Sequence, residues 1–437
     1  MLNIVKKIFK NKVSKNTICI FLIHLSNVVI TFLFYIYLSR IMGANNFGFY
    51  FFIVTLITTL AIFSKNGLDL LVIRFIPKYI VENKYNKLIG ITKYVNDRAI
   101  KNCMIIFTIY VSIIFLLNQF SPIENISIYF IGILFLPILT LLQLNQAKLN
   151  GFKEIILSQL PERIILPLSI IIFVYFLSII FGIKLNSLNI LYIHLLTLFI
   201  VYFISNFWLN REINKYSFVE KPIYLHKEWE SISKNLILIT VGHMIFTNID
   251  VLMIGVILDK ENSGIYGIAS RISVFIAFGL FAINTVIAPQ ISKLYSENNI
   301  NRLKLLLLTS SRYNLIFTIL FFVLIIYFNL EILNIFGIEF SRGSTALIIL
   351  CAGQLVNVIT GSVGVLMTMT GLELYAARII IFSIILNIIL NLILIPFFGI
   401  EGAAVATTFT VSISNILMLY YSIRETGINA SPLRLSN

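Results

Sequence analysis

A chain of 437 residues that is 59% hydrophobic and only 12% charged differs sharply from a soluble domain, which is roughly 45–50% apolar and about 25% charged. Such a composition excludes a water-soluble globular fold, so most of the chain needs lipid as its solvent. The formal charge of +14 does not indicate nucleic acid, because the Lys and Arg residues sit in short segments between apolar runs, as membrane orientation requires.

The N-terminal tail carries Lys6, Lys7, Lys10, Lys12 and Lys15, which superficially resembles a secretory signal. The apolar stretch that begins at Thr17 is too long for a signal core, and no small-residue cleavage pattern follows it, so it is read as a first spanning helix. Apolar runs between charges and turn residues predict helices near 17–41, 47–77, 102–119, 127–146, 160–181 and 188–209. A second set is predicted near 235–258, 264–290, 312–330, 344–369, 374–396 and 399–422. Each run approaches or exceeds the about 20 residues needed to span a bilayer. The runs lack the two-residue alternation of a barrel. The expected fold class is therefore an all-α integral membrane protein with about 12 (12–14) transmembrane helices.

Orientation follows from the basic residues. Of the 33 Lys and Arg residues, 26 fall in the two tails and in segments 78–101, 147–163, 210–234 and 291–312, with Arg378. The opposite connections carry only Arg40, Lys184, Lys260 and Arg342. The positive-inside bias predicts cytoplasmic N- and C-termini. Segments 78–101 and 291–312 read as amphipathic helices at the interface. The outer connections are too short to hold a domain.

The two halves resemble each other. Phe47-Gly48-Phe49-Tyr50 matches Ser263-Gly264-Ile265-Tyr266 at an offset of 216, Pro77 matches Pro289 at 212, and Asn150-Gly151 matches Thr370-Gly371 at 220. Six helices return the chain to its starting side, so the halves are parallel repeats. The expected organisation is an N-terminal lobe over 1–209, a cytoplasmic linker over 210–234 and a C-terminal lobe over 235–437. By analogy with the run 264–290, the segment 47–77 is expected to continue unbroken through Ser64-Lys65-Asn66-Gly67.

Ionisable groups inside a membrane helix cost about 2.5–3.5 kcal/mol on insertion scales and mark cavities or partners. Five qualify: Lys65, Asp69, Arg74, Asp250 and Arg271. Lys65 and Asp69 lie one turn apart, either as a plain ion pair or lining a cavity. Asp250 and Arg271 lie roughly 10–12 Å from the same outer end of their helices, placing them opposite one another as a structural ion pair or a coupling pair. Arg74 and Arg40 lie near the interfaces, as lipid anchors or as substrate contacts. His24 and His243 read as packing residues, hydrogen-bonded near Asn27 and Asn248, and His194 and His226 support nothing specific. Cys19, Cys103 and Cys351 are too scattered for a disulfide framework or metal site. Gly353, Gln354, Asn357, Gly361, Ser362 and Gly364 suit close packing or bending; Pro161, Pro167 and Pro396 suit kinks. No nucleophile motif, phosphate-binding loop or dinucleotide fingerprint occurs, so neither catalysis nor ATP hydrolysis is expected.

Leu38-Ser39-Arg40-Ile41-Met42-Gly43 with Phe47-Gly48-Phe49-Tyr50 resembles the opening of Wzx-type polysaccharide flippases. Asn248-Ile249-Asp250, Ile254-Gly255, Gly264-Ile265-Tyr266 and Ala269-Ser270-Arg271 resemble the start of their second half. Asn387, Asn391, Ile395-Pro396 and Gly399-Ile400-Glu401-Gly402-Ala403-Ala404 resemble a later signature, shared with drug exporters and peptidoglycan-precursor flippases. The resemblance covers nearly the whole chain and implies the multidrug/oligosaccharidyl-lipid/polysaccharide superfamily, with two six-helix lobes around a central cavity. It implies a flippase of the bacterial cytoplasmic membrane that carries undecaprenyl-pyrophosphate-linked oligosaccharide outward for O-antigen, capsule or a related polymer. It also implies polymerase and chain-length partners, no nucleic acid, and no cofactor beyond coupling to a proton or sodium gradient. On this reading Lys65, Arg74, Arg271 and Arg40 form the cationic contact for the pyrophosphate, with Asp250 and Asp69 as coupling candidates. An ion-coupled exporter of cationic drugs and a membrane-embedded glycosyl or acyl transferase are the alternatives, together with a lipid II-type peptidoglycan-precursor flippase. The first would favour an acidic cavity, and the second would need a catalytic cluster the sequence lacks.

Overall fold

The computed structural model describes residues 12–120, 122, 124–180, 182, 185–216 and 221–432, with the side chains of 12–22, 24, 179–180, 235 and 237–247 outside the description. His24, His243, Cys19 and the lysines of the N-terminal tail therefore lie outside the described side chains. The described residues are mainly helical, with no strand among them. The first half holds α1 (Lys12–Lys65), α2 (Leu68–Val81), α3 (Tyr85–Phe120), α4 (Ile126–Gly151), α5 (Ile155–Leu160), α6 (Leu166–Tyr175) and α7 (Ser187–Asn214). The second holds α8 (His226–Ile257), α9 (Lys260–Val274), α10 (Phe278–Ser296), α11 (Ile300–Tyr327), α12 (Asn329–Asn334), α13 (Ser344–Ile359), α14 (Val363–Met369) and α15 (Glu373–Thr426).

Among the described residues, nine helical segments are long and apolar enough to cross a membrane, and Asn248–Ile257 adds a shorter apolar one. Helices α1 and α15 each run for 54 residues, about 80 Å at 1.5 Å per residue, more than twice a hydrocarbon core of about 30 Å. Each is resolved into two spans by one glycine: Gly43 (φ 70°, ψ 170°) and Gly399 (φ 60°, ψ −138°). Only a residue without Cβ adopts those angles cheaply. These two kinks stand where the sequence predicts the 41–47 and 396–399 connections. The all-α membrane fold expected from composition is the fold observed.

Three boundaries differ from expectation. The run 47–77 is broken, because Asn66 and Gly67 take left-handed angles (φ 47° and 74°) and α2 starts afresh at Leu68. Asn and Gly are the residues that tolerate this conformation, so the local Asn-Gly signal overrides the repeat analogy. The run 264–290 is itself interrupted by a 3₁₀ turn at Phe275–Ala277. Finally, 78–101 and 291–312 are not separate interfacial helices. Most of each belongs to the continuous helices α3 and α11, which carry their spans on through polar, basic turns.

The chain forms two compact units, Met1–Met42 with Ile53–Val241, and Gly43–Phe52 with Gly242–Asn437. In the first, Trp229 of α8 is fully buried among Tyr79, Tyr94 and the apolar faces of α2, α3 and α4, and its indole N–H donates to Tyr79 Oη at 3.0 Å. Arg98 of α3 bonds Glu230 beside it at 2.8 Å. Lys234 and Arg98 next to Glu230 hold its carboxyl below the usual carboxylate range. In the second unit, residues 428–430 fold back, so that Ile428 and Ala430 pack with α10, α11, α14 and α15. Gly48 also belongs to this unit. A Cβ there would sit 2.1 Å from the Lys260 carbonyl oxygen, so the approach of α1 to α9 needs glycine.

Candidate functional site

Asp250 lies in the apolar stretch Asn248–Ile257 and is 5% exposed. Burying an ionised carboxylate without compensation is prohibitive, so its surroundings must donate hydrogen bonds. Tyr266 of α9 donates its hydroxyl to Oδ2 at 3.0 Å, Thr407 of α15 donates to the same oxygen, and Asn391 of α15 donates Nδ2 to Oδ1 at 2.7 Å. Asn391 Nδ2 also reaches Asn387 Oδ1 at 3.0 Å, while Asn387 Nδ2 points to Thr407 and Thr410 at 3.3 and 3.4 Å.

The kink at Gly399 assembles this network. Asn391 and Thr407 are equidistant from it in sequence, and Asn387 and Thr410 nearly so, as expected of a helical hairpin closed at residue 399. The arms touch near the bend, where a Cβ on Gly402 would lie 2.3 Å from the Leu394 carbonyl oxygen. On the first arm Asn387 and Asn391 are one turn apart and share a face.

Tyr266, Thr407 and Asn391 are all neutral, so the cage holds one formal negative charge. The Asn391 carbonyl oxygen Oδ1 is buried with no hydrogen-bond partner. A lone carboxylate, two hydroxyls and a spare amide oxygen fit a proton or a hard monovalent cation, which takes oxygen ligands. Among the described residues no group of three or more His, Cys, Asp or Glu could hold a metal ion, and a single carboxylate is a poor match for a divalent one.

The expected Asp250–Arg271 pair does not form. Tyr266 is the α9 residue that faces Asp250, and Arg271 lies five residues further on, about 140° round the helix. Arg271 is exposed, with no ion pair among the described residues. Lys65 and Asp69 do meet, at 3.2 Å across the Asn66–Gly67 break. Asp69 Oδ1 also accepts the Leu70 backbone N–H at 2.9 Å, in the first turn of α2, where negative charge is favourable. Arg74 is exposed on α2, its guanidinium 5.7 Å from the Phe75 ring centre. Arg40 is exposed three residues before the Gly43 kink.

Tyr266, Asn387, Asn391 and Thr407 carry no role in the expectation drawn from sequence. The readable signal was the Asn387–Asn391 spacing in an otherwise apolar run. The basic-residue pattern places Arg163 in the inner connection 147–163. Glu162 and Arg163 instead occupy a π-helical turn, Pro161–Ile165, inside the span Ile155–Ser178.

Comparison with known proteins places the chain. A family model described as polysaccharide biosynthesis protein matches residues 13–295, and the MatE model matches 236–393. A protein of Haloferax volcanii named as a probable low-salt glycan biosynthesis flippase is 32% identical over 193 residues, which is 43% of this chain and 40% of that relative. The fold is similar to an inward-facing multidrug resistance MATE transporter of the MOP superfamily (TM-score 0.73, 12% identity, 91% of this chain and 94% of that one). It is also similar to the lipid II flippase MurJ in an inward closed conformation (TM-score 0.69, 17% identity, 92% and 86%). The helical membrane architecture and the extent of the first match together establish that this chain belongs to the polysaccharide biosynthesis protein family.

Proposed function

We propose that the protein is a flippase that moves undecaprenyl-pyrophosphate-linked oligosaccharide from the inner to the outer leaflet by alternating access, with Asp250 as the coupling group. The observation that carries the coupling role is the buried Asp250 carboxylate held by Tyr266, Thr407 and Asn391, with the Asn391 oxygen beside it unpartnered. A carboxylate without a cationic side-chain partner changes its charge state when a proton or cation enters. Such a change biases one conformation over another only through a difference in affinity between them. Family membership supports the glycan substrate, as does the similarity to a glycan biosynthesis flippase.

A diphosphate headgroup is anionic and pairs well with guanidinium groups, which bind phosphate oxygens two at a time. Arg74 and Arg271 are exposed guanidinium groups in this role, with Arg40 as a third. Lys65 contributes less, because Asp69 already neutralises it. Deleting the gene should cause lipid-linked oligosaccharide to accumulate in the producing cell. The wild-type chain should reverse that accumulation, and Asp250→Asn should not, at equal abundance. An unchanged lipid-linked pool in the deletion strain would reject the flippase reading.

A further inference from the structure

A second polar site lies in the first unit, on α4 and the π turn after α5, and none of its residues takes part in the Asp250 network. Gln143, Gln146 and Asn150 are spaced i, i+3 and i+7 along α4 and so share one face. That face meets the Ile155–Ile165 segment at two points. Gln143 Nε2 donates to Glu162 Oε1 at 3.0 Å, and Ser158 Oγ donates to Asn150 Oδ1 at 3.2 Å. Asn27 of α1 closes the group by donating Nδ2 to the Arg163 carbonyl oxygen at 2.7 Å.

Two atoms of this group are left over. Gln143 Oε1 and Gln146 Nε2 are both buried without a hydrogen-bond partner. Leaving a buried amide atom unpaired costs stability, and here the face carries one spare acceptor and one spare donor about a turn apart. The side chains of Gln143, Gln146, Glu162 and Arg163 are each half-buried, so the face borders accessible surface and the two enclosed atoms are reached by turning half-exposed side chains. Pro161 opens the π turn and brings no N–H of its own, a local irregularity of the kind that often accompanies function in membrane helices.

The chemistry narrows the ligand. A metal cation would need oxygen ligands alone and would be repelled by the Gln146 amide hydrogens. An anion would be opposed by the Glu162 carboxylate. Sugar hydroxyls each donate and accept, and they match a spare amide donor, a spare amide acceptor and a carboxylate acceptor. We propose that Gln143, Gln146 and Glu162 form a subsite for sugar hydroxyls, which contacts the glycan while the diphosphate is held elsewhere. This assignment rests on the flippase reading.

The test uses the full-length protein in lipid nanodiscs and two probes, undecaprenyl pyrophosphate bearing an N-acetylhexosamine disaccharide and bare undecaprenyl pyrophosphate. The wild type should bind the glycosylated lipid roughly tenfold more tightly than the bare one, a ratio expected from one or two hydrogen bonds made on binding. Gln146→Ala is the decisive variant, because its Nε2 has no internal partner to lose. It should leave thermal unfolding at or above the wild-type temperature and binding of the bare lipid unchanged, while the preference for the glycosylated lipid collapses. Glu162→Gln should weaken the same preference. If Gln146→Ala keeps the full preference, or the wild type has none, the subsite is refuted and the flippase reading stands. If neither lipid binds the wild type, the flippase reading fails and the subsite fails with it.

Discussion

Asp250 is surrounded by donors that cannot neutralise it, which sets what its replacement should do. Asp250→Asn keeps the shape but removes a buried charge, whose desolvation opposes folding. Yield and thermal unfolding in detergent should therefore stay at or above wild type while transport is lost. Thr407→Val is isosteric and removes one hydrogen bond to a charged acceptor, and should cost about 1.5–3 kcal/mol. Arg271→Ala should move the unfolding free energy by no more than about 0.5 kcal/mol, because no ion pair is broken, yet it should impair transport if the guanidinium meets the diphosphate. A steep stability loss in Arg271→Ala would show a structural partner that this account denies. Asp250 itself was legible, since a single acid in an apolar run has few ordinary explanations. Its partners were not, because membrane depth can be estimated from residue counts whereas the direction a side chain faces cannot.

At the scale of elements, the informative places are those where a helix stops being a helix. Gly399 closes the hairpin that brings Asn387 and Asn391 to Thr407 and Thr410. Its absent Cβ has room, with the Glu401 carboxylate 3.7 Å away as the nearest neighbour, so substitution costs backbone strain alone. Gly399→Ala should destabilise by about 1–3 kcal/mol, read as a lowered unfolding temperature. It should also reduce transport by misplacing Thr407 relative to Asp250. An unchanged unfolding temperature would mean the bend does not need the positive φ. The spans were readable because long apolar runs are strong local signals, whereas helices that continue through polar, basic turns hid several of their ends. The Asn66–Gly67 break was a local signal outweighed by analogy with 264–290, a run that is itself interrupted. The Pro161–Ile165 turn was hidden because a π turn and an α-helix share the same apolar pattern.

For the molecule as a whole, the basic asymmetry predicts which side of the membrane each connection occupies. In a background without Cys19, Cys103 and Cys351, a cysteine at the exposed Lys293 should resist a membrane-impermeant thiol reagent in intact cells, whereas one at the exposed Ile338 should react. The reverse pattern would overturn the orientation. A reporter fused at Trp229 would be a poor topology probe, since that side chain is buried in the first unit. The membrane class was readable because it follows from composition and from the length of the apolar runs. Which face each helix presents depends on packing between distant segments, and the sequence carries it only weakly. The central claim is flipping coupled through Asp250, and reconstituted liposomes test it most directly. A fluorescent undecaprenyl-pyrophosphate-linked oligosaccharide is placed in one leaflet, and its arrival in the other is followed with and without an imposed proton or sodium gradient. The account predicts gradient-dependent translocation by the wild type and none by Asp250→Asn. Equal translocation by both proteins, or none by the wild type under either gradient, would contradict it.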